Sequence, residues 1–498
     1  MSLCTYFASR LVKIRTTTGT FLASSLRIDI HTLLLSAFLC VHLRLTSAAQ
    51  AQTKPTELPR DQLVTLYKTE LKDRFDDKQF EQILSSHRLL EQFFAERNST
   101  LRIGIIKQIE AAGVDAVTLG RLCRIRLHWP DLPGGVYYIS ERVGPHTVAY
   151  FLGLPKDYAV TQAWPLVVRL PATDAFVRKP EPDQQEVARI YTDWITDELK
   201  QQPDAIVLMP LMNFDHLFGP GYAGVNAVMQ SIYHAAERAN IDPARVYLIG
   251  HSAGAHAAWN LALHYPTTFA AFNAMAGSAK NEFQRLRLKN LRNTWPVVWH
   301  DADDDVIKVD MSRQLVRALR GQKIDVDYEE TKKLGHRPPM QLVDKMYAKL
   351  RARVRSLYPA ELMLQSNRLD PIYNRVDWLQ IDQPTRPGDD QRMFFSRGTE
   401  KIVLQASVWS ASASLKPRNH IELKTDNVEL LRLYFNDQMI DFNRAISVSI
   451  NGRVRFEGFV KTDISVMLND QLFLGRGWRY FTAALPIDLA PATRPSDK

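Results

Sequence analysis

Apolar residues recur at three- and four-residue spacing from Pro59 to about Leu127: Leu63, Leu66 and Tyr67, then Phe80, Ile83 and Leu84, then Leu89, Leu90 and Phe93. That period puts each set on one face of a helix, so the stretch predicts a small helical domain whose stripes are packing faces. The breaker cluster WPDLPGG, Trp129 to Gly135, closes it. From about residue 136 the pattern changes to short apolar runs, at Thr147 to Pro155, Trp164 to Ala172, Ala205 to Leu211, Arg245 to Gly250, Phe269 to Gly277 and Thr294 to Asp301. These read as strands. Helical stretches such as Ala223 to Asn240 and Ala253 to His264 fall between most of them, and Asp310 to Gly321 follows the last. Such alternation predicts a mainly parallel sheet with helices on both faces and its ligand site outside the carboxyl ends of the strands. After about Ala360 the period becomes two. In AISVSINGRVRFEGFV, Ala445 to Val460, apolar positions alternate on either side of Asn451-Gly452, the sequence of a tight hairpin turn. With KIVLQASVW and VELLRLYF as further strands, the end of the chain predicts an all-β, sandwich-like domain.

Composition fits this division without adding to it. The chain has 498 residues, 45% hydrophobic and 23% charged, enough for several cores and unlike a disordered or multi-span membrane protein. The first segment is different. Arg10, Lys13, Arg15 and Arg27 precede the apolar run TLLLSAFLCVHL, and small residues ending in Ala-Gln-Ala at Ala51 follow. That order is a secretory signal's, with an N-terminal membrane anchor as the alternative. The expected domains are therefore a signal peptide over 1–51, a helical domain over 52–135, an α/β domain over 136–358 and a β-rich domain over 359–498. The expected location is secreted or periplasmic, with no membrane span after cleavage.

Without residues 1–51, 58 Lys and Arg face 53 Asp and Glu. So small a surplus does not point to nucleic acid. Of the three cysteines, only Cys123 lies beyond that segment, which excludes a disulfide scaffold for the mature chain.

Two motifs carry the chemistry. Gly250-His251-Ser252-Ala253-Gly254 stands where a predicted strand meets a predicted helix. A serine hydroxyl becomes a nucleophile when it is held exposed on a sharp turn beside a base, and the flanking glycines let strand and helix pass closely. The second motif is WHDADDDVI, Trp299 to Ile307, with Asp301, Asp303, Asp304 and Asp305. As an EF-hand loop counted from Asp301 it fails, with Val306 at the glycine position and Ser312 at the glutamate position.

Together these residues resemble the α/β-hydrolase superfamily, in its esterase, dienelactone-hydrolase and prolyl-oligopeptidase-like branch, over roughly Thr147 to Tyr358. The resemblance implies a serine hydrolase with a catalytic triad in chain order Ser252, Asp, His. Its acid follows the seventh strand in a His-Gly-x-x-Asp-like loop, which places it at Asp304. Asp301 stands where glycine is usual, so Asp303 and Asp305 remain candidates. The histidine is His336, in the loop after one more helix and strand. His251, His256, His264 and His216 are read as structural. For the oxyanion hole the resemblance implies the amide of Ala253 and a second donor from the loop after WPLVVRL. There Pro171 has no N–H, which leaves Ala172 or Thr173.

The function expected is a secreted carboxylic ester hydrolase working through an acyl-enzyme, with no cofactor and no metal. A peptidase of the prolyl-oligopeptidase-like type is the first alternative, although residues 52–135 are too few for the β-propeller such enzymes carry. A non-catalytic binding protein on a hydrolase fold is the second; the presence of Ser252, His336 and the aspartates counts against it. The substrate is a small-molecule or polymer-linked ester. The β-rich domain is a candidate for polysaccharide or cell-surface contact, with Trp409 and Trp478 readable as surface or core.

Overall fold

A computed structural model describes residues 56–143, 146–172, 184–211, 222–279, 282–368, 372–386 and 408–490. Residues 1–51, where a signal peptide is expected, and Thr173, His216 and most of KIVLQASVW lie outside the described residues. Among the described residues no helix is long and apolar enough to cross a membrane.

The helical stretch forms α1 (Arg60–Leu71), α2 (Phe80–Ala95), α3 (Ser99–Ala111) and α4 (Ala116–Leu122). Polar caps start the last two: Asn98 accepts the amides of Thr100 and Leu101, and Asp115 those of Val117 and Thr118. The predicted stripes point inward, with Leu63, Leu66, Tyr67, Ile83, Leu90 and Phe93 in one core. That core also takes Met467, Leu468 and Tyr480 from near the other end of the chain. Arg476 reinforces the junction with a two-pronged ion pair to Glu91, at 2.7 and 2.8 Å.

Eight strands then build one sheet: β1 (Gly135–Val143), β2 (His146–Leu154), β3 (Trp164–Leu170), β4 (Ile206–Pro210), β5 (Ile241–His251), β6 (Ala271–Met275), β7 (Trp295–Asp301) and β8 (Asp327–Thr331). Their order is β1-β2-β4-β3-β5-β6-β7-β8. Every neighbouring pair is parallel except the two made by β2. The central strands β4 and β6 are buried along their whole length, which is why they read as unbroken apolar runs. Helices α5 (Gln184–Gln201), α6 (Tyr222–Ala236), α7 (Ala253–His264), α8 (Asp310–Gly321) and α9 (Met340–Arg351) connect or follow the strands. This is the mainly parallel, helix-covered sheet that the alternation of strands and helices predicts. Its first strand escaped the pattern because an edge strand such as VYYISERV mixes polar and apolar residues on both faces.

The remaining strands form two further sheets. The first orders β9 (Glu361–Ser366), β12 (Trp409–Lys416), β13 (His420–Asp426), β15 (Ile446–Ile450) and β16 (Arg453–Gly458). The second orders β10 (Arg375–Val376), β11 (Leu379–Gln383), β14 (Leu430–Phe435) and β17 (Ala483–Asp488). One core containing Leu364, Trp378, Trp409, Leu433 and Val448 is shared by them. Asn451 and Gly452 have φ of 52° and 77°, the left-handed pair a two-residue hairpin turn requires. The expectation of an all-β domain misses one element, helix α10 (Ile464–Leu474), which Asp463 caps and which carries Met467 and Leu468 into the helical core. Trp409 and Trp478 are both buried, the latter in the core of the large sheet.

Candidate active site

Ser252 sits between β5 and α7 with φ 56° and ψ −116°, a left-handed conformation that a serine adopts only under constraint. Its amide donates to Met275 O at 2.8 Å, tying the turn to the end of β6. The close approaches predicted for the glycines are present. A Cβ on Gly250 would stand 2.1 Å from Gly254 O, and one on Gly254 would stand 2.4 Å from Leu170 O at the end of β3. Gly277, which the sequence reading passed over, is equally crowded: its Cβ would meet that of Ala255 at 2.5 Å.

His336 approaches from the loop between β8 and α9. Its Nδ1 lies 2.8 Å from Asp304 Oδ2, which makes Nδ1–H the donor and leaves Nε2 as acceptor for the Ser252 hydroxyl at 2.9 Å. Asp304 is fixed in turn. Its Oδ1 accepts the amides of Val306 and Ile307, both at 2.9 Å, and Oδ2 also lies 3.2 Å from His300 Nε2. Burial alone would raise the Asp304 carboxyl. The two amides and the His336 imidazole outweigh it and hold the group below the ordinary carboxylate range.

Behind the acid, the fully buried His300 donates Nε2–H to Ile307 O at 2.8 Å, and its Nδ1 accepts from Ser312 Oγ at 2.7 Å. In front, His251 donates Nε2–H to the carbonyl of His336 at 2.7 Å, with the two rings 4.8 Å apart. Burial pulls His251 down to about 4, so it is a neutral donor at neutral pH. The spacing of residues gives no hint of this contact, because it closes across 85 positions. His256 and His264 are buried, with Nδ1 against the carbonyls of Ser278 and Asn260.

Ala253 opens α7, so its N–H is among the four a helix cannot satisfy internally and lies at the positive end of the dipole. Ala172 is two residues beyond β3, whose last carbonyls pass beside Gly254. Of the aspartates, Asp304 alone meets the imidazole; Asp301 and Asp303 turn to main-chain amides of the histidine loop, and Asp305 is exposed. Among the described residues no group of three or more His, Cys, Asp or Glu side chains is placed to hold a metal ion. The arrangement can move a proton from a serine hydroxyl to an imidazole whose charge a buried carboxylate compensates.

No protein-family model matches the chain, and no curated protein matches it. Solved structures do. A thermostable esterase is 22% identical over 44% of this chain and 63% of its own, with a TM-score of 0.36. Dipeptidyl peptidase 4 of Porphyromonas gingivalis is 11% identical over 45% of this chain and 36% of its own, also with a TM-score of 0.36. A ferulic acid esterase is 16% identical over 44% of this chain and 96% of its own, with a TM-score of 0.32. The chain thus spans less than two thirds of the length of the first two.

Proposed function

We propose that the protein is a serine hydrolase that cleaves carboxylic esters through an acyl-enzyme. The observation that supports this most directly is the hydrogen-bonded series Ser252, His336, Asp304 at a strained strand-to-helix turn. In this reading His336 Nε2 takes the hydroxyl proton as Ser252 Oγ attacks the ester carbonyl. Asp304 compensates the imidazolium that forms. The tetrahedral oxyanion accepts from the Ala253 amide and from a second amide, that of Ala172 or Thr173. His336 then protonates the departing alcohol, and a water deprotonated by the same nitrogen releases the acid. No step calls on a metal or cofactor. Export follows from the order of residues 1–51 and belongs to the same proposal.

The test is labelling with a fluorophosphonate probe. The unsubstituted protein is expected to label at one site and Ser252→Ala not at all. An unlabelled wild-type protein, folded by circular dichroism, would end the catalytic reading. A panel of acyl esters beside aminoacyl amides then separates an esterase from a peptidase, the expectation being turnover of the esters.

A further inference from the structure

We propose that Asp301 and Asp303 are positioning residues for His336: their carboxylates hold the loop that carries the base, so the end of β7 and the turn that follows it set both the acid and the base. The kinetic consequence rests on the serine-hydrolase reading above; the structural consequence can be measured without activity.

The loop between β8 and α9 has little packing to fix it. Lys332, Lys333, Leu334, Arg337 and Pro339 are all exposed. Lys333 and Gly335 have φ of 67° and 69°, so the chain doubles back just before the histidine. Three successive amides in this turn point at two carboxylates. Lys333 N donates to Asp303 Oδ2 at 2.9 Å, Leu334 N to Asp301 Oδ2 at 3.1 Å, and Gly335 N to Asp301 Oδ1 at 3.0 Å. Consecutive N–H groups in such a turn form a concavity suited to an anion. Here the anion is supplied by the end of β7 and the turn that bears Asp304.

Asp301 accepts two more bonds, from Thr331 Oγ1 at 2.7 Å and from the Asp303 amide at 3.0 Å. The residue is fully buried, where bonds to an ionised acceptor are strong and a missing one is costly. The amide it holds at Gly335 is covalently next to His336, so displacing that amide displaces the imidazole relative to Ser252 and Asp304. A misplacement of about 1 Å costs on the order of a hundredfold in rate. Asp301 stands where the resemblance to the hydrolase pattern implies a glycine, which has no carboxylate to offer. The brace is therefore a feature of this chain's departure from the pattern.

The experiment compares the full chain with Asp301→Asn and Asp303→Asn. It reads the fluorophosphonate labelling rate per folded molecule, kcat and KM for an ester, and amide hydrogen exchange across residues 331–336. Asp301→Asn is expected to slow labelling and kcat roughly tenfold to a hundredfold. KM should stay within about twofold, and exchange should accelerate at Leu334 and Gly335. Asp303→Asn is expected to have a smaller effect on rate, with faster exchange at Lys333. Unaltered labelling or unaltered exchange in folded Asp301→Asn would overturn the proposal. If that variant does not fold, the exposed Asp303 decides, and unsubstituted behaviour of Asp303→Asn in both assays has the same force. If the unsubstituted protein does not label, the hydrolase reading falls and exchange alone decides: lost protection in Asp301→Asn supports the brace, and unchanged protection overturns it.

Discussion

Asp304 Oδ2 meets His336 Nδ1 at 2.8 Å while its other oxygen is held by two backbone amides, so the carboxylate is fixed in one orientation with Oδ2 facing the imidazole. Replacing it with asparagine keeps the shape but removes the charge that fixes the imidazole tautomer. Asp304→Asn is expected to lower kcat/KM for an ester by roughly 10³–10⁴-fold. Asp305→Asn, on an exposed side chain, should stay within about twofold. Rates normalised to folded protein check this, and a comparable loss at Asp305 would refute the geometry.

Gly277 offers a test of the turn itself. A Cβ there would press on Ala255 and stand 3.0 Å from Ser252 O, and neither atom belongs to a flexible side-chain tip. Gly277→Ala must therefore shift the start of α7 or the end of β6. A stability loss of about 1–3 kcal/mol is expected, as for other overpacked cores, together with slower labelling of Ser252. Urea unfolding measures the first and probe kinetics the second. Wild-type values in both would mean that the close packing behind the elbow is dispensable.

The Glu91 pair with Arg476 predicts a pH dependence. Burial raises the Glu91 carboxyl, but the Arg476 guanidinium, His87 and the Leu127 amide outweigh it and pull the group down to about 2. A carboxyl depressed in the folded state adds stability above its ordinary value near 4.5, and that contribution disappears as pH falls through about 2. Glu91→Gln should therefore be less stable than the unsubstituted chain at pH 7 by roughly 2 kcal/mol, discounted for partial exposure. The gap should close between those two values. Unfolding curves at several pH values would show it, and a gap independent of pH would rule the ion pair out as its origin.

Much of the large sheet was legible because its central strands are buried on both faces and carry unbroken apolar runs, as in IVLMP and AFNAM. Ala253–His264 and Asp310–Gly321 match the predicted helices residue for residue. Helix α10 was not legible, since ISVMLNDQLFL is apolar on most sides and lies among alternating strands; its burial against α4 comes from tertiary packing. Ser252 stood out by its motif, and the family resemblance implied His336 and Asp304 while leaving Asp303 and Asp305 open; only the fold places Asp304 against the imidazole. The contacts of Asp301, Asp303, His251 and His300 could not be read that way, because they depend on where two loops from different strands meet and on which way each backbone group points.

Asp377 lies buried between two arginines. Arg355 binds both its oxygens through Nη2, at 2.9 and 2.6 Å, and Arg479 pairs with one of them. All three side chains are almost wholly buried. The arginines also reach across to the α/β sheet's connections, Arg355 to Asn293 O at 2.6 Å and Arg479 to Thr267 O at 2.5 Å. Burial pushes the Arg479 guanidinium below its ordinary range, and the Asp377 charge opposes that push. Removing the charge leaves two buried cations without compensation, at a cost of about 3–5 kcal/mol. Asp377→Asn is thus expected to lower the urea midpoint strongly. The reactivity of Ser252 in molecules that remain folded should not change, because Thr267 lies beyond the far end of α7, whose twelve residues separate it from the elbow by roughly 18 Å. If the variant unfolds at the unsubstituted urea concentration, the buried pair is not what joins the β-rich part to the sheet; if its folded fraction labels slowly, the two ends of α7 are coupled.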